Sequence, residues 1–281
     1  MSKKVSNFII FFIINILLKI RSLFRRIRKV EFDFYSEDFK LYKNKYYFIL
    51  FGKDKYVSRN TFVNGPHDFI LLKKSINILN KKISFLIDVG ANVGTFCIPA
   101  VKDKIIKECI AIEPVKKIFK VLNINIYLNN LQNKIQTFDN VISNKKFEKL
   151  SLKINKNNYG DNRFLLNKKK KIQTNSIKLD NFINYFNKKK LIIKIDVQGF
   201  EDKVLMGSEK FIKSKVPRLV EFDQNFKKSK YFFKIINLLE SNYRHVFFLD
   251  DGKNKKETIK VLKKKFFEKE RKFLDFNCLI F

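Results

Sequence analysis

Acidic residues stand behind short apolar runs at intervals along this chain. Asp88 follows Phe85-Leu86-Ile87, Glu113 follows Cys109-Ile110-Ala111-Ile112, and Asp196 follows Leu191 to Ile195. Asp139 and Glu221 close two further runs. A carboxylate can take a proton from a hydroxyl, accept hydrogen bonds from a diol or ligate a hard metal ion. Asp196 is the first candidate for a general base or metal ligand, Glu201 the second, and His67 the third for proton transfer. Glu221 extends Asp196 and Glu201 into a carboxylate set suited to Mg²⁺. Asp88, Glu113, Asp139 and Asp196 at one sheet edge would repel one another. This predicts a cation among them, either a sulfonium or a metal ion.

The elements that must position these acids are strands of a doubly wound α/β sheet, whose ligands sit beyond the carboxyl ends of the strands. The run 85–88 leads into Gly90-Ala91-Asn92-Val93-Gly94 and then a segment, Thr95 to Val101, that can be helical. Glycines there permit close backbone approach to a ligand. The turn departs from two phosphate-binding patterns. G-x-G-x-x-G would need glycine where Asn92 and Thr95 stand, and no G-K-[ST] follows. S-adenosylmethionine suits it better: Gly90, Asn92 and Gly94 shape the turn, its free N–H groups suit a carboxylate, and Asp88 suits an ammonium and a sulfonium. Glu113, about 20 residues on, is placed to accept from ribose hydroxyls, with Pro114 opening the next helix. Asp139 and Asn140, at the end of strand 134–139, are placed for the adenine amino group.

A third segment, Leu191-Ile192-Ile193-Lys194-Ile195-Asp196-Val197-Gln198-Gly199-Phe200-Glu201, extends the pattern. Taken in order, DVGANVG, IEP, NNYGDNRF, KIDVQGFE, VLMGSEKFI, RLVEF and NCLIF resemble the FkbM-type S-adenosylmethionine-dependent methyltransferases over roughly residues 56 to 281. The resemblance implies O-methylation of a small or glycan-type acceptor, in cell-surface polysaccharide or natural-product assembly. Gln198 stands where many relatives carry Glu, so no charge-dependent role is assigned to it. Asn158, Asp161 and Arg163 can face a sugar's hydroxyls, or serve as turn residues. The polar stretch Asn144 to Lys178 that carries them is long for a connection, which predicts a lid or other functional segment.

The expected architecture is a mostly parallel, seven-stranded, Rossmann-like α/β sheet with a β-rich lead-in and a helical tail. It divides into a tail over 1–30, a lead-in with its first helix over 31–80, and a methyltransferase domain over 81–281. The lead-in alternates aromatic and polar positions, Phe32, Phe34, Tyr42, Tyr46 and Phe48, as antiparallel strands do. Cys97, Cys109 and Cys278 form no C-x-x-C and read as small buried hydrophobes in a reducing compartment. The formal net charge is +33 over 281 residues. Lysine, asparagine, isoleucine and phenylalanine are all abundant and all have AT-rich codons, so much of the excess is surface lysine. With no RNA-binding module and no N-P-P-[YF] motif, specific nucleic-acid recognition is not expected.

The tail is apolar from Phe8 to Leu18 apart from Asn15, about 16 Å as a helix against a hydrocarbon core of about 30 Å. Lys19, Arg21, Arg25, Arg26, Arg28 and Lys29 follow. This suits an anchor lying on the anionic inner face of a membrane, with the enzyme cytoplasmic; a helix packed on protein is the alternative. Two other functions share the fold: an RNA methyltransferase, and a catalytically silent protein that binds a membrane surface or anionic polymer.

Overall fold

The computed structural model describes residues 3–34, 38–66, 68–146, 149–153, 163–165, 172–173, 176–249, 255–267 and 275–281. A long helix, α1 (Lys3–Phe34), leads to an antiparallel hairpin, β1 (Phe39–Lys43) and β2 (Tyr47–Phe51), then to α2 (Val57–Asn64) and α3 (Ile70–Leu79). The sheet-and-helix rhythm follows: β3 (Phe85–Val89), α4 (Cys97–Lys102), β4 (Glu108–Ile112), α5 (Lys116–Leu128) and β5 (Ile135–Phe138). A short parallel pair, β6 (Val141–Ile142) with β10 (Ser176–Ile177), flanks a small antiparallel sheet of β7 (Lys149–Lys153), β8 (Arg163–Leu165) and β9 (Ile172–Gln173). The chain continues through β11 (Leu191–Ile195), α6 (Glu201–Met206), α7 (Glu209–Lys213), β12 (Arg218–Phe222), α8 (Phe232–Asn242) and β13 (His245–Phe248). It closes with β14 (Lys256–Thr258), α9 (Val261–Lys265) and β15 (Phe276–Ile280).

The central sheet runs β14-β13-β15-β12-β11-β3-β4-β5. From β5 across to β12 the neighbours are parallel, and β15 inserts antiparallel between β12 and β13. The seven expected strands are all there, and β14 adds an eighth at the edge through its antiparallel pairing with β13. The inner strands are apolar on both faces because both faces are covered. Leu86, Cys109, Ala111 and Ile192 point into one core with the hairpin, α3, α4 and α5. Ile87, Ile110, Ile193 and Ile195 point into the other with α6, α7 and α8.

Two expectations for the lead-in change. Phe32 and Phe34 end α1 instead of starting a strand: Phe32 is 1% exposed and Phe34 is 77% exposed, so the two lie on opposite sides of a helix. Val57–Asn64, expected among strands, is helical. Phe32 packs on Phe62 of α2 with ring centroids 5.5 Å apart, and Asp33 pairs with Arg59 at 3.2 Å. The C-terminal end of α1 is thus seated on α2.

The hairpin is held to the sheet by two asparagines one turn apart, Asn125 in α5 and Asn129 at its C-terminal cap. Asn125 Oδ1 accepts from Ile49 N at 2.6 Å, and its Nδ2 donates to Ile49 O at 3.1 Å and Val93 O at 2.9 Å. Asn129 Oδ1 accepts from Tyr47 N at 3.1 Å, and its Nδ2 donates to Tyr47 O at 2.7 Å. The amides do for β2 what a neighbouring strand would do. Val93 lies in the glycine turn, so the same contact steadies that turn. Asn125→Leu removes these bonds and leaves buried backbone groups without partners, a loss of about 2–4 kcal/mol. Urea unfolding should show a correspondingly lower midpoint.

Candidate active site

The turn after β3 is built against its neighbours before it meets any ligand. Gly90 has φ +82°, and a Cβ there would lie 1.9 Å from the Asp196 carbonyl oxygen. The glycine's close approach is therefore to β11's end. Gly90 N and Ala91 N both donate to Ile112 O at 3.0 Å, tying the turn to β4. Gly94, at φ +90°, is crowded by Ile98 and Leu122, with a Cβ falling 2.6 and 2.9 Å from their Cδ1 atoms. Its role is to pack the turn on α4 and α5, and unlike Gly90 and Asn92 it does not line the cavity. Asn92 takes φ +51°, its Oδ1 accepts from Val93 N at 2.8 Å, and its own N–H donates to Glu113 Oε2 at 3.1 Å.

The cation among the acids is a side chain of the protein itself. Lys194 sits in β11 in parallel register with Asp88 of β3. Its Nζ lies 3.2 Å from Asp88 Oδ1 and 3.4 Å from Asp196 Oδ2, and donates to Gly90 O at 2.9 Å. Burial favours the neutral amine, but the charges of Asp88 and Asp196 outweigh it and hold the ammonium charged. Burial likewise raises the Asp88 carboxyl, and the ammonium opposes that rise. Asp88 is fully buried and does not line the cavity, so its partner is Lys194 and not a ligand's ammonium. This lysine offsets one charge of the Asp88–Asp196 pair, a cation not among those expected from the sequence. The sequence held a signal for this: a lone lysine inside the apolar run LIIKI must find an anion, and Asp88 is the acid on the neighbouring strand.

Beyond the strand ends lies a cavity of about 330 Å³, within the range of small-molecule sites. One end is walled by Glu113, Asn140, Ile112, Val141 and Ile142. Glu113 Oε1 accepts from Val115 N at 2.9 Å and Oε2 from Asn92 N at 3.1 Å. Burial pushes its carboxyl up to about 7, against the pull of these N–H groups. Each oxygen keeps a lone pair for a hydroxyl. A diol-binding acid beside an apolar slot fits an adenosyl group. The other end is lined by Asp68, Asp196, Gln198, Glu221 and Asn277. Gln198 Nε2 donates to Asp196 Oδ1 at 2.9 Å, which fixes that carboxylate at the cavity wall. Burial and, before it, the charge of Asp196 raise the Glu221 carboxyl above the usual range.

Several expected site residues stand elsewhere. Asp139 is exposed and does not line the cavity, while its neighbour Asn140 does. Glu201 is 1% exposed, does not line the cavity, and its Oε1 accepts from Gly199 N at 2.8 Å at the start of α6. It orders the bend after β11, as an acid at a helix start does, and is not a base for substrate. The Asp196, Glu201 and Glu221 metal set accordingly does not form. Among the described residues no three His, Cys, Asp or Glu side chains are arranged to hold a metal ion. His67, Asn158 and Asp161 lie outside the described residues, and of Arg163 only its backbone in β8 is described. The cysteines are buried and free. Phe200, in the bend after β11, and Asn277, in β15, also line the cavity; nothing in the sequence marks either one within its motif as cavity-facing.

Two substitutions test this arrangement. Lys194→Met strands a buried Asp88 charge and should lower stability by about 3–5 kcal/mol; Asp88→Asn in the same chain should recover much of that in urea unfolding. Burial pushes the Glu201 carboxyl up from 4.5 to about 8. The folded state therefore holds a proton that the unfolded chain releases, and stability from this group is full below 4.5 and is lost as pH rises through about 8. Glu201→Gln keeps an acceptor for Gly199 N and removes that proton. Its stability should fall less than wild type between about pH 5 and pH 9, and its methyl-transfer rate should stay near normal.

The methyltransferase FkbM domain matches residues 88–246, from Asp88 of β3 into β13. No curated protein matches the sequence. Among solved structures, TYW2 from M. jannaschii in complex with AdoMet is similar at 13% identity and TM-score 0.44, over 88% of this chain and 86% of that one. The StiE O-MT segment is similar at 12% identity and TM-score 0.43, over 80% and 76% of the two chains. Precorrin-6y C5,15-methyltransferase from Geobacter metallireducens is similar at 8% identity and TM-score 0.39, over 75% and 85%. With the strand order, the glycine turn and Glu113 in place, the match over 88–246 is decisive: the chain belongs to the FkbM methyltransferase domain family and is an S-adenosylmethionine-dependent methyltransferase.

Proposed function

We propose that this enzyme methylates a hydroxyl oxygen of a sugar or glycan-type acceptor, in cell-surface polysaccharide or natural-product assembly on the inner face of a membrane. The observation that carries this is the composition of the far end of the cavity. Asp68, Asp196, Glu221, Gln198 and Asn277 line it in a protein whose net charge is +33. Carboxylates and amides there accept from and donate to the hydroxyls of a neutral polyol. A phosphate of an RNA acceptor would meet those carboxylates instead.

Bound S-adenosylmethionine supplies a methyl group already activated by its sulfonium. Glu113 would accept from the ribose hydroxyls, Asn140 would lie toward the adenine, and the Gly90–Asn92 turn would hold the methionine part. At the acceptor end, Asp196 would take the proton of the attacking hydroxyl while the bound donor supplies the methyl group and leaves as its neutral thioether. Lys194 and Gln198 hold its carboxylate in place for that transfer. Glu221, with its raised carboxyl, is suited to donate to a second acceptor hydroxyl. Holding nucleophile and methyl in line supplies several kcal/mol of barrier lowering.

The test is mass spectrometry of the full chain incubated with labelled S-adenosylmethionine and glycan, lipid or RNA extracts. Label in a glycan or glycolipid hydroxyl is the expected result, and label confined to RNA overturns the reading. Asp196→Asn should slow transfer at least about 100-fold with donor binding kept. Glu113→Ala should weaken donor binding by about 1.5–3 kcal/mol in calorimetry. Activity lost to a chelator and restored by Mg²⁺ would replace the carboxylate base with a metal.

A further inference from the structure

The seating of α1 leaves one of its faces unaccounted for. Phe32 is buried on Phe62, and the Arg28 guanidinium lies 4.7 Å from the Phe62 ring centroid and 5.7 Å from that of Tyr42. These residues fall on one side of the helix. At 100° per residue, Ile13, Ile16, Leu17, Ile20, Leu23, Phe24 and Ile27 fall together on another side, an arc of about 120° that contains no charged residue between 13 and 27. All seven are 42–63% exposed. Lys19, Arg21, Arg25, Arg26, Arg28 and Lys29 occupy the remaining arc. The helix is therefore amphipathic from Lys19 to Lys29. From Ile10 to Leu18 it is apolar on all sides apart from Asn15, with Ile10, Phe11, Ile14 and Leu18 exposed outside the arc of the stripe, and the stripe lies off the face that packs on α2.

We infer that this stripe is a bilayer-docking surface, which lies in the plane of an anionic membrane with Ile20, Leu23, Phe24 and Ile27 set below the headgroups. This rests on the membrane part of the reading above and is independent of the acceptor's identity. Charge chooses the occupant. Each basic side chain beside an anionic surface adds about 1 kcal/mol, and long basic side chains reach headgroups from a helix whose apolar face is inserted. A second copy seated on the stripe would bring the same basic arc and the same +33 against it. No helix among the described residues is long and apolar enough to cross a membrane, so the stripe lies on the bilayer and does not span it. Because α1 ends on α2, and Tyr56 and Val57 at the start of α2 line the cavity, docking would hold the cavity mouth near the membrane surface.

The experiment is flotation of the full-length chain with vesicles of phosphatidylglycerol mixed with phosphatidylcholine, and with vesicles of phosphatidylcholine alone. The intact protein should float with the anionic vesicles. Leu23→Asp with Phe24→Asp should lower that partition at least about tenfold, and Arg25→Gln with Arg26→Gln should lower it about tenfold on anionic vesicles alone. Donor binding by calorimetry should stay unchanged in both variants, since no altered residue touches the cavity. Partition that ignores the apolar substitutions overturns the inference, as does failure of the intact chain to float. A dimer in sedimentation that the Leu23/Phe24 variant dissolves would assign the stripe to a second copy. Loss of glycan methylation with flotation kept would sink the acceptor reading and leave this one standing.

Discussion

The ammonium of Lys194 is the interaction on which the site depends. It joins three pieces that come from different parts of the chain: the end of β3 through Asp88, the glycine turn through the Gly90 carbonyl, and the end of β11 through Asp196. Each partner is poorly placed alone. A fully buried carboxylate, a carbonyl at the sheet edge and a second carboxylate nearby would be unfavourable without a cation. With it, β3 and β11 are locked in register, and one carboxylate is left facing the cavity while the other is sealed beneath. The same contact explains why residue 90 must be glycine, since the turn and the Asp196 carbonyl pack with no room for a side chain.

Around that centre the fold applies one device repeatedly, a side chain that completes a backbone hydrogen-bonding pattern. Glu113 joins the turn to the start of α5, Glu201 joins the bend after β11 to α6, and Asn125 and Asn129 bind the lead-in hairpin to α5. Such groups serve shape and chemistry together. Glu113 both steadies the turn and faces the cavity, and its raised carboxyl follows from the burial that a steadying role requires. Glu201, equally buried, is turned the other way. Two acids with similar sequence surroundings are thus separated by which side of the strand end they occupy.

The outer half of α1 stands apart from this economy. Its C-terminal turns are fastened by Phe32, Arg28 and Asp33, and its outer turns expose a stripe that a globular enzyme would normally cover. The one helix therefore carries two environments, a protein-facing end and an end whose apolar and basic side chains are exposed.

The sequence alone determined the sheet, because inner strands buried on both faces are mostly apolar runs, and Phe85–Val89, Glu108–Ile112, Leu191–Ile195 and Arg218–Phe222 are written that way, each with one charged residue except the last, which carries two. It also located Gly90, Asn92 and Glu113, which line the cavity, since a glycine turn and an acid one strand later are local features at a readable spacing. It did not separate helix from strand where aromatic residues alternate at Phe32 and Phe34, since periodicity over so few residues fits either. It could not orient the acids. Whether Asp88, Asp139, Glu201 or Glu221 faces the cavity depends on register between strands far apart in the chain and on which neighbour seals each side chain. That tertiary pairing placed Lys194 beside Asp88 and Asp196, and so gave two of the carboxylates, which in sequence called for an external cation, a shared cation within the protein.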